Sequence, residues 1–284
     1  MAACGICVVN TSPPIALTIA GSDSSGGAGL QADLKTFTAL GVYGASVIAA
    51  LTAQNTRGVM GVLAVPPDFV ALQIDAVASD LKVSACKTGM LGDAATVAAV
   101  CDGLERHDLG ALVVDPVMVA TSGDVLLASD AITLVKSRLI PKASIITPNL
   151  GEAAKLLGVQ TANTVADMQA QARDLLALGC GAVLLKGGHM RGEDAIDVFV
   201  SATSPGEAVH VSSPRIATAN THGTGCTLAA AIAAHLAIGS ELAGAVGQAK
   251  SFLTAALVGG RDLKIGAGAG PVDHLFKLRG GFQS

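Results

Sequence analysis

A chain of 284 residues is long enough to bury the core of one large α/β domain or of two small ones. Although 51% of the residues are hydrophobic, no uninterrupted apolar run reaches the roughly 18 residues of a membrane span. The net charge of −4 and the aromatic content of 2% argue against the basic, base-stacking surfaces of nucleic-acid-binding proteins. We therefore expect a cytoplasmic protein with small-molecule ligands and no nucleic-acid or membrane partner.

The first stretch, residues 1–14, ends in Ser-Pro-Pro and is expected to be a disordered lead-in without a secretory signal. It contains Cys4 and Cys7, whose spacing suits a redox or metal site, but no second pair of ligands follows nearby. The six cysteines are scattered along the chain, at positions 4, 7, 86, 101, 180 and 226. Free thiols are expected at all six.

From residue 15 onward, short apolar runs alternate with segments of helical periodicity. Strands are predicted over 15–20, 45–53, 84–88, 111–114, 144–147 and 182–186, followed by an edge hairpin of 194–201 and 208–212. Helices are predicted over 30–40, 66–79, 94–106, 129–139, 149–157, 166–178, 226–238 and 242–257, before a glycine-rich tail. This alternation is typical of a mostly parallel sheet covered on both faces. We predict one three-layer αβα sandwich over residues 15–284.

Polar residues follow the predicted strands at their carboxyl ends. They are Gln54 to Thr56, Gly89 with Met90, Asp115, Asn149 with Glu152, and Lys186 to Gly188. The carboxyl ends of parallel strands lie along one edge of a sheet, and ligands bind at that edge in open α/β sheets. The agreement among these separate segments predicts a binding site there.

The segment Gly223-Thr224-Gly225-Cys226 precedes an alanine-rich run of high helix propensity. Glycines let successive backbone N–H groups converge, and the start of a helix carries partial positive charge, so an anion site is predicted here. Cys226 lies where the loop becomes helix, and a thiol there is expected to have a pKa below its usual value of about 8.5. The alternative is a glycine turn before a core helix, with a buried inert cysteine.

Oxygen-bearing side chains at neighbouring strand ends, those of Asp115, Asn149 and Glu152, predict a Mg²⁺ site of the kind used in phosphoryl transfer. For Asn149 and Glu152 alone, a helix capping box after Pro148 is the other interpretation. Lys186 is followed by two glycines and is expected to pair with a phosphate, unless it is simply a surface lysine.

The common nucleotide-binding motifs do not settle the function. No G-x-x-x-x-G-K-[ST] loop is present, and Gly27-Ala28-Gly29-Leu30-Gln31-Ala32 matches only the relaxed G-x-G-x-x-A pattern. The second predicted strand ends in Gln54 rather than in the acidic residue that would hold a ribose. A dinucleotide-dependent dehydrogenase is therefore disfavoured.

Several segments together resemble one known family. They are residues 20–36, 53–56, 87–91, 147–149, 186–189 and 221–227, which include Gly-Ser-Asp-Ser-Ser-Gly-Gly-Ala-Gly and Thr-His-Gly-Thr-Gly-Cys-Thr. These segments closely resemble the hydroxymethylpyrimidine/phosphomethylpyrimidine kinases of thiamine biosynthesis, which belong to the ribokinase superfamily. The resemblance extends from about residue 17 to about residue 275. It implies a ribokinase-like αβα fold, the use of ATP and Mg²⁺, and a homodimer.

The resemblance also implies roles for individual residues. Gln54 matches the side chain that hydrogen-bonds the aminopyrimidine, and Gly21, Asp33 and Met90 match others that line its pocket. The residues matched to Mg²⁺ and the ATP phosphates are Asp115, Asn149 and Glu152, with Lys186 on the nucleotide side. Residues 223–225 match the anion hole and Cys226 the catalytic base, where most ribokinase relatives have aspartate. Residues 120–124 match a flap, with Thr121 where some members have lysine.

In this family one site phosphorylates first the alcohol of the pyrimidine and then the resulting phosphate monoester. The main alternative is a pyridoxal kinase, which shares the fold and the cysteine. Gln54 and the loop 21–27 favour the pyrimidine. A non-catalytic pyrimidine-binding sensor is a more remote alternative, and the intact set of Asp115, Asn149, Glu152 and Cys226 argues against it.

Overall fold

The computed structural model describes residues 12–118, 128–188 and 190–279. Cys4, Cys7, almost all of the predicted lead-in 1–14 and the predicted flap 120–124 lie outside the described residues. Four cysteines within them, at positions 86, 101, 180 and 226, are free thiols, as predicted. In the described part of the chain, no helix is both long and apolar enough to cross a bilayer.

The described strands form one nine-stranded sheet in the order β3-β2-β1-β4-β5-β6-β7-β8-β9. They are β1 Ile15–Gly21, β2 Tyr43–Asn55, β3 Gly58–Ala64, β4 Ala85–Thr88, β5 Ala111–Val114, β6 Ile145–Ile146, β7 Ala182–Leu185, β8 Asp194–Ser201 and β9 Ala208–Pro214. Strands β2, β1, β4, β5, β6 and β7 are parallel, and β3, β8 and β9 pair antiparallel at the two edges. The predicted mostly parallel sheet and its edge hairpin are confirmed.

The helices cover both faces of this sheet. They are α1 Gly29–Ala39, α2 Pro67–Ala78, α3 Ala94–Arg106, α4 Ser129–Leu134, α5 Leu150–Leu157, α6 Val165–Leu176, α7 Thr224–Ile238, α8 Leu242–Gly260 and α9 Phe276–Arg279. One core lies between the sheet and α2 to α6, and the other between the sheet and α1, α7 and α8. The predicted three-layer αβα sandwich is therefore confirmed.

Two segments differ from the prediction. Strand β3 was not predicted; its apolar side chains are mostly exposed, so the sequence lacks the alternation of a half-buried strand. The predicted helix 129–139 is α4 followed by a π-helical turn, Val135–Leu139, and a 3₁₀ turn, Ile140–Lys142. Pro141 has no backbone N–H and cannot continue a regular α-helical hydrogen-bond ladder.

Helix α7 holds the central position on its face of the sheet. It packs against β1, β4 and β5, and residues 228–234 are at most 2% exposed. Most of those residues are alanine, whose small side chain lets the helix axis approach the sheet closely. This packing places the first turn of α7 at the carboxyl ends of the central strands.

The predicted glycine-rich tail is an ordered segment, residues 266–274, here called the C-terminal strap. The Gly268 N–H donates to Thr56 Oγ1 at 3.1 Å, just beyond β2. The Gly270 carbonyl accepts from the N–H of His222, the residue before the predicted anion site, at 3.0 Å. A Cβ on Gly268 would overlap the Thr56 carbonyl, so glycine is required for this approach. The strap therefore joins the end of β2 to the loop before α7.

Candidate active site

A cavity of about 580 Å³ opens at the carboxyl ends of the parallel strands. The residues predicted from the sequence that line it are Gly21, Gln54, Met90, Asp115, Asn149, Glu152, Lys186, Gly223, Thr224, Gly225 and Cys226. One predicted site residue, Asp33, is not among the lining residues. The site geometry follows from the sheet order, because β2, β1 and β4 supply one end of the cavity and β7, β8 and β9 the other.

The β2–β1–β4 end is shaped by Gly21, Met90 and Gln54. The Gly21 N–H donates to the Met90 carbonyl at 3.0 Å, and a Cβ on Gly21 would overlap the Met90 methyl group. Ser24 Oγ bonds both the N–H and the carbonyl of Gln54 at 2.9 Å. Gln54 Oε1 accepts from Thr52 Oγ1 at 3.2 Å. The Gln54 carboxamide is thus held at the cavity wall on a fixed backbone.

Asp33 lies beneath this end rather than in it. Its carboxylate is 0% exposed and accepts from Lys87 Nζ at 2.8 Å and from Thr18 Oγ1 at 2.6 Å. At Lys87, burial lowers the pKa of the ammonium, but the surrounding negative charges, first that of Asp33, together raise it above its usual value. At Asp33, burial raises the pKa of the carboxyl, although the ammonium of Lys87 acts to lower it. Asp33 is on the face of α1 that packs on the sheet. The structure therefore does not bring Asp33 to the cavity surface; Lys87 lines it instead.

The start of α7 has the features of an anion site. Its N-cap is Gly223, which has φ +80° and offers no side-chain acceptor. The Thr224 N–H bonds to the Thr221 carbonyl and the Thr227 N–H to the Gly223 carbonyl. Among the described residues, the N–H groups of Gly225 and Cys226 have no hydrogen-bond acceptor. These two groups remain available to an anion in the cavity.

Cys226 differs from the prediction in its protonation. Burial raises the pKa of its thiol to about 11; Lys87 acts to lower that pKa, whereas Asp33 and Asp115 raise it. The backbone N–H of Gly29 also acts to lower the pKa of this thiol. The expected fall in pKa was wrong, because loss of hydration outweighs the helix start. The thiol is protonated at neutral pH.

An ion pair faces the start of α7 across the cavity. Lys186 Nζ donates to Asp115 Oδ1 at 2.8 Å, and Thr147 Oγ1 donates to the same oxygen at 3.1 Å. A Cβ built on Gly225 would lie 3.3 Å from Lys186 Nζ and 3.9 Å from Asp115 Oδ2. The Lys186 side chain is 14% exposed, so it is not a surface lysine. The ammonium of Lys186 and the carboxylate of Asp115 therefore lie close to the start of α7, where the N–H groups of Gly225 and Cys226 are free.

Asn149 and Glu152 form the capping box of α5. Asn149 Oδ1 accepts from the Glu152 N–H at 2.9 Å, and Glu152 Oε2 accepts from the Asn149 N–H at 2.7 Å. Burial raises the pKa of Glu152 to about 7; Lys186 acts to lower it and Asp115 to raise it. The capping interpretation is correct in geometry, and both residues still line the cavity.

The donors present fit a Mg²⁺ ion shared with a nucleotide, not a metal held by protein alone. In the described ranges, no group of three or more His, Cys, Asp or Glu side chains could hold a metal. Asp115 and Glu152 supply two carboxylates to one cavity. Mg²⁺ in phosphoryl-transfer sites is usually bound by one or two carboxylates and completed by phosphates and water.

The family of the chain follows from a sequence comparison. The model of the family described as phosphomethylpyrimidine kinase matches residues 23–273. The chain belongs to the phosphomethylpyrimidine kinase family. A relative from Rhizobium meliloti, a hydroxymethylpyrimidine/phosphomethylpyrimidine kinase, is 54% identical over 263 residues, covering 93% of this chain and 97% of the relative. The predicted family is confirmed.

The solved structures that are similar to this chain include pyridoxal kinases as well as a phosphomethylpyrimidine kinase. The ADP complex of Bacillus subtilis pyridoxal kinase is 37% identical, with a TM-score of 0.86 over 94% of this chain and 99% of that chain. The phosphomethylpyrimidine kinase from Clostridium difficile 630 is 42% identical, with a TM-score of 0.74 over 86% of this chain and 99% of that one. The predicted ribokinase-like fold is confirmed.

Beyond the residues known from family resemblance, two buried polar pairs line the cavity. Lys250 Nζ donates to Asp197 Oδ2 at 2.7 Å, and Asp197 Oδ1 accepts from the Gly187 N–H at 2.9 Å. The other pair is Asp23 with His222. Sequence reasoning missed both. A usable signal existed for Asp197, an acid inside the apolar run of β8, since a buried charge requires a partner.

Proposed function

We propose that the chain is an ATP-dependent kinase of thiamine biosynthesis. It phosphorylates 4-amino-5-hydroxymethyl-2-methylpyrimidine and then the resulting monophosphate to the diphosphate. The observation that carries the proposal is the uncapped start of α7. There the free N–H groups of Gly225 and Cys226 face the Lys186–Asp115 pair inside one cavity. The names of the relatives support the substrates, and the ADP complex of the B. subtilis enzyme supports the nucleotide.

Phosphoryl transfer requires mainly alignment and neutralisation of charge on the transferred group. The N–H groups of Gly225 and Cys226 bind its oxygens, and the ammonium of Lys186 adds positive charge opposite them. Mg²⁺, when bound with the nucleotide, neutralises phosphate charge, and Asp115 and Glu152 would hold it. The nucleotide occupies the β7–β9 end, where Ile216, Leu253 and Leu257 supply an apolar wall.

The pyrimidine occupies the opposite end, against Gln54 and Met90. An amide side chain offers one donor and one acceptor, which match a ring nitrogen and the exocyclic amine of an aminopyrimidine. Cys226 then lies where the acceptor hydroxyl meets the anion site. Because the thiol is protonated at neutral pH, only the small fraction that is ionised to thiolate accepts the hydroxyl proton in the first step. In the second step the acceptor is a phosphate, which is already ionised, so that step depends less on Cys226.

A pyridoxal kinase is the second candidate, because the B. subtilis pyridoxal kinase matches this fold with a higher TM-score than the C. difficile enzyme. The deciding experiment is a coupled assay of ADP release with the pyrimidine alcohol, its monophosphate and pyridoxal in parallel. Turnover of both pyrimidines above that of pyridoxal supports the proposal. Turnover of pyridoxal alone would establish the second candidate, and no turnover of any acceptor would favour a non-catalytic sensor.

Gln54→Leu tests the pyrimidine assignment at one residue. The loss of one buried hydrogen-bonding group costs about 1–3 kcal/mol, which corresponds to roughly ten- to a hundredfold in kcat/KM for the pyrimidine alcohol. Pyridoxal lacks the paired edge, so its turnover falls much less. Gln248→Leu, at an exposed glutamine of α8 outside the cavity, is the control. A parallel fall on both substrates would remove Gln54 as the selector.

The resemblance further leads us to expect a homodimer located in the cytoplasm. Sedimentation equilibrium of the purified chain tests the first expectation directly. A molecular mass close to the 28.0 kDa of one chain would contradict it.

A further inference from the structure

Two glycine-rich loops meet at the centre of the cavity, and Asp23 organises the first of them. This loop, residues 22–28, follows β1. Asp23 is 1% exposed, and its Oδ1 accepts from both the N–H and the hydroxyl of Ser25 at 2.9 and 2.7 Å. Its Oδ2 accepts from the N–H groups of Gly27 and Ala28 at 3.1 and 2.8 Å. The carboxylate therefore holds the backbone of this loop in one shape.

The second loop contributes His222, immediately before the N-cap of α7. His222 Nε2 lies 2.8 Å from Asp23 Oδ2, although the two residues are 199 positions apart in the chain. Burial raises the pKa of Asp23, but hydrogen bonds from His222, Ser25 and the Ala28 N–H bring it well below its usual range. An ionised carboxylate accepts only, so His222 Nε2 carries the hydrogen and donates it.

Contacts around this pair leave little room for movement. A Cβ on Gly27 would lie 2.5 Å from His222 Cδ2, and a Cβ on Gly223 would overlap the Gly27 carbonyl. The His222 N–H is itself bonded to the Gly270 carbonyl of the C-terminal strap. The two loops thus touch through their backbones, and the His222–Asp23 hydrogen bond joins them through side chains. Gly223, the N-cap of α7, follows His222 directly, so the imidazole is held one residue before the start of the helix.

We propose that His222 is a positioning residue: held by Asp23, it sets the orientation of Gly223 and so directs the N–H groups of Gly225 and Cys226 at the transferred phosphoryl group. The proposal rests on the proposed function for the identity of that group. Both phosphorylation steps use the same N–H groups. Loss of His222 therefore slows both steps equally, whereas loss of Cys226 slows mainly the first.

The test compares His222→Leu with His222→Gln. The glutamine Nε2 can reach Asp23 from a position close to that of the imidazole Nε2 and restores the donor without a titratable ring. We expect His222→Leu to lower kcat in both steps by about ten- to a hundredfold, with KM for ATP nearly unchanged, because a small misplacement of binding groups has that effect. His222→Gln should recover most of the loss. His107→Leu is the matched control, since His107 forms a 2.7 Å pair with Asp75 at the surface, away from the cavity.

Hydrogen–deuterium exchange of the segment 219–227, measured without substrate, separates this inference from the proposed function. We expect faster exchange in His222→Leu, near-wild-type exchange in His222→Gln and no change in His107→Leu. Unchanged exchange in His222→Leu would overturn the inference whatever the enzyme phosphorylates. An equal loss of kcat in the leucine and glutamine variants would also overturn it. If wild-type protein phosphorylates no pyrimidine but the exchange pattern holds, the proposed function fails and the positioning role stands.

Discussion

Helices α5 and α7 begin at the same edge of the sheet and line the same cavity, yet their first turns are completed in opposite ways. At α5, the side chain of Asn149 accepts from the Glu152 N–H, and the side chain of Glu152 accepts from the Asn149 N–H. At α7, the N-cap is Gly223, which has no side chain to offer, and the Gly225 and Cys226 N–H groups have no acceptor among the described residues. One helix start is satisfied by its own side chains, and the other is left open.

The difference separates a structural helix start from a binding one. Relative to glycine, an N-cap residue with a side-chain oxygen stabilises a helix by only about a few tenths of a kcal/mol, so the missing cap at α7 costs little. Glycine at position 223 also permits the positive φ and the close approach to Gly27 that place α7 over the cavity. A bound anion would supply the acceptors that the N-cap does not. We therefore expect the capped helix to contribute mainly stability and the uncapped helix to contribute mainly anion binding.

The largest expected effect is at Cys226, on the open helix. Cys226→Ala should cut transfer to the pyrimidine alcohol by about 10²–10⁴-fold, the usual range for loss of a general base. Transfer to the monophosphate should fall much less, and ATP binding should hardly change. Steady-state kinetics with both acceptors measure this. Equal losses on the two acceptors would indicate that the thiol is only structural.

The same residue gives the first step a pH dependence. Because burial raises the thiol pKa to about 11, the thiolate fraction grows steadily as pH rises. We expect the wild-type rate on the alcohol to increase between about pH 7 and about pH 10, and the increase to be absent in Cys226→Ala. A flat wild-type profile on the alcohol would contradict proton transfer to Cys226.

Gly225→Ala should lower activity without lowering stability. The new methyl group would lie 3.3 Å from Lys186 Nζ, between the free N–H groups and the ion pair. We expect kcat to fall about ten- to a hundredfold through misplacement of the bound phosphoryl group. Alanine is favoured over glycine in a helix by about 0.5–1 kcal/mol, so the melting temperature should not fall. Gly244→Ala in α8, which meets no neighbouring atom, is the control and should leave kcat unchanged.

Asn149→Ala, on the capped helix, should lower stability with little effect on activity. Loss of the cap should lower the free energy of unfolding by about 0.5–2 kcal/mol, while KM for ATP rises by at most a few-fold. Thr164→Ala removes the equivalent cap of α6 and should cost a similar amount. Chemical denaturation of both variants provides the comparison. A tenfold or larger rise in KM for ATP in Asn149→Ala alone would show that Asn149 binds the nucleotide as well as capping α5.

The smallest effect is a pH dependence at Glu152. Its folded pKa of about 7 lies above the ordinary value, so wild-type stability decreases as pH rises through that interval. Glu152→Gln removes this term and should gain melting temperature relative to wild type between about pH 5 and about pH 8. Asp167→Asn is the control, because hydrogen bonds lower the Asp167 pKa and its stabilisation is present above the ordinary value. A constant difference for Glu152→Gln would contradict burial of the charged form.

The layers and most strands of this fold could be predicted because alternation along the chain is a local property. The site residues at strand ends were predictable for the same reason, since parallel strands bring their carboxyl ends to one edge. The buried position of Asp33 was not predictable from its own segment, because its carboxylate is bonded to Lys87, 54 residues further along the chain. The Cys226 pKa was misjudged because desolvation comes from tertiary packing, which the helix-start argument ignores. The Asp23–His222 pair joins segments 199 positions apart, and no local sequence pattern predicts such a contact.

The C-terminal strap has a consequence for how the enzyme is made. Thr56, just beyond the end of β2, is bonded to Gly268, 212 positions later. At a synthesis rate of about 5–20 residues per second, the ribosome needs roughly 10–40 s to cover that interval. The early strands can pair while translation continues. The loop beside Gln54 and the loop before α7 are joined only after the strap has been synthesised. A nascent chain that already contains every strand of the sheet is therefore still without a complete site.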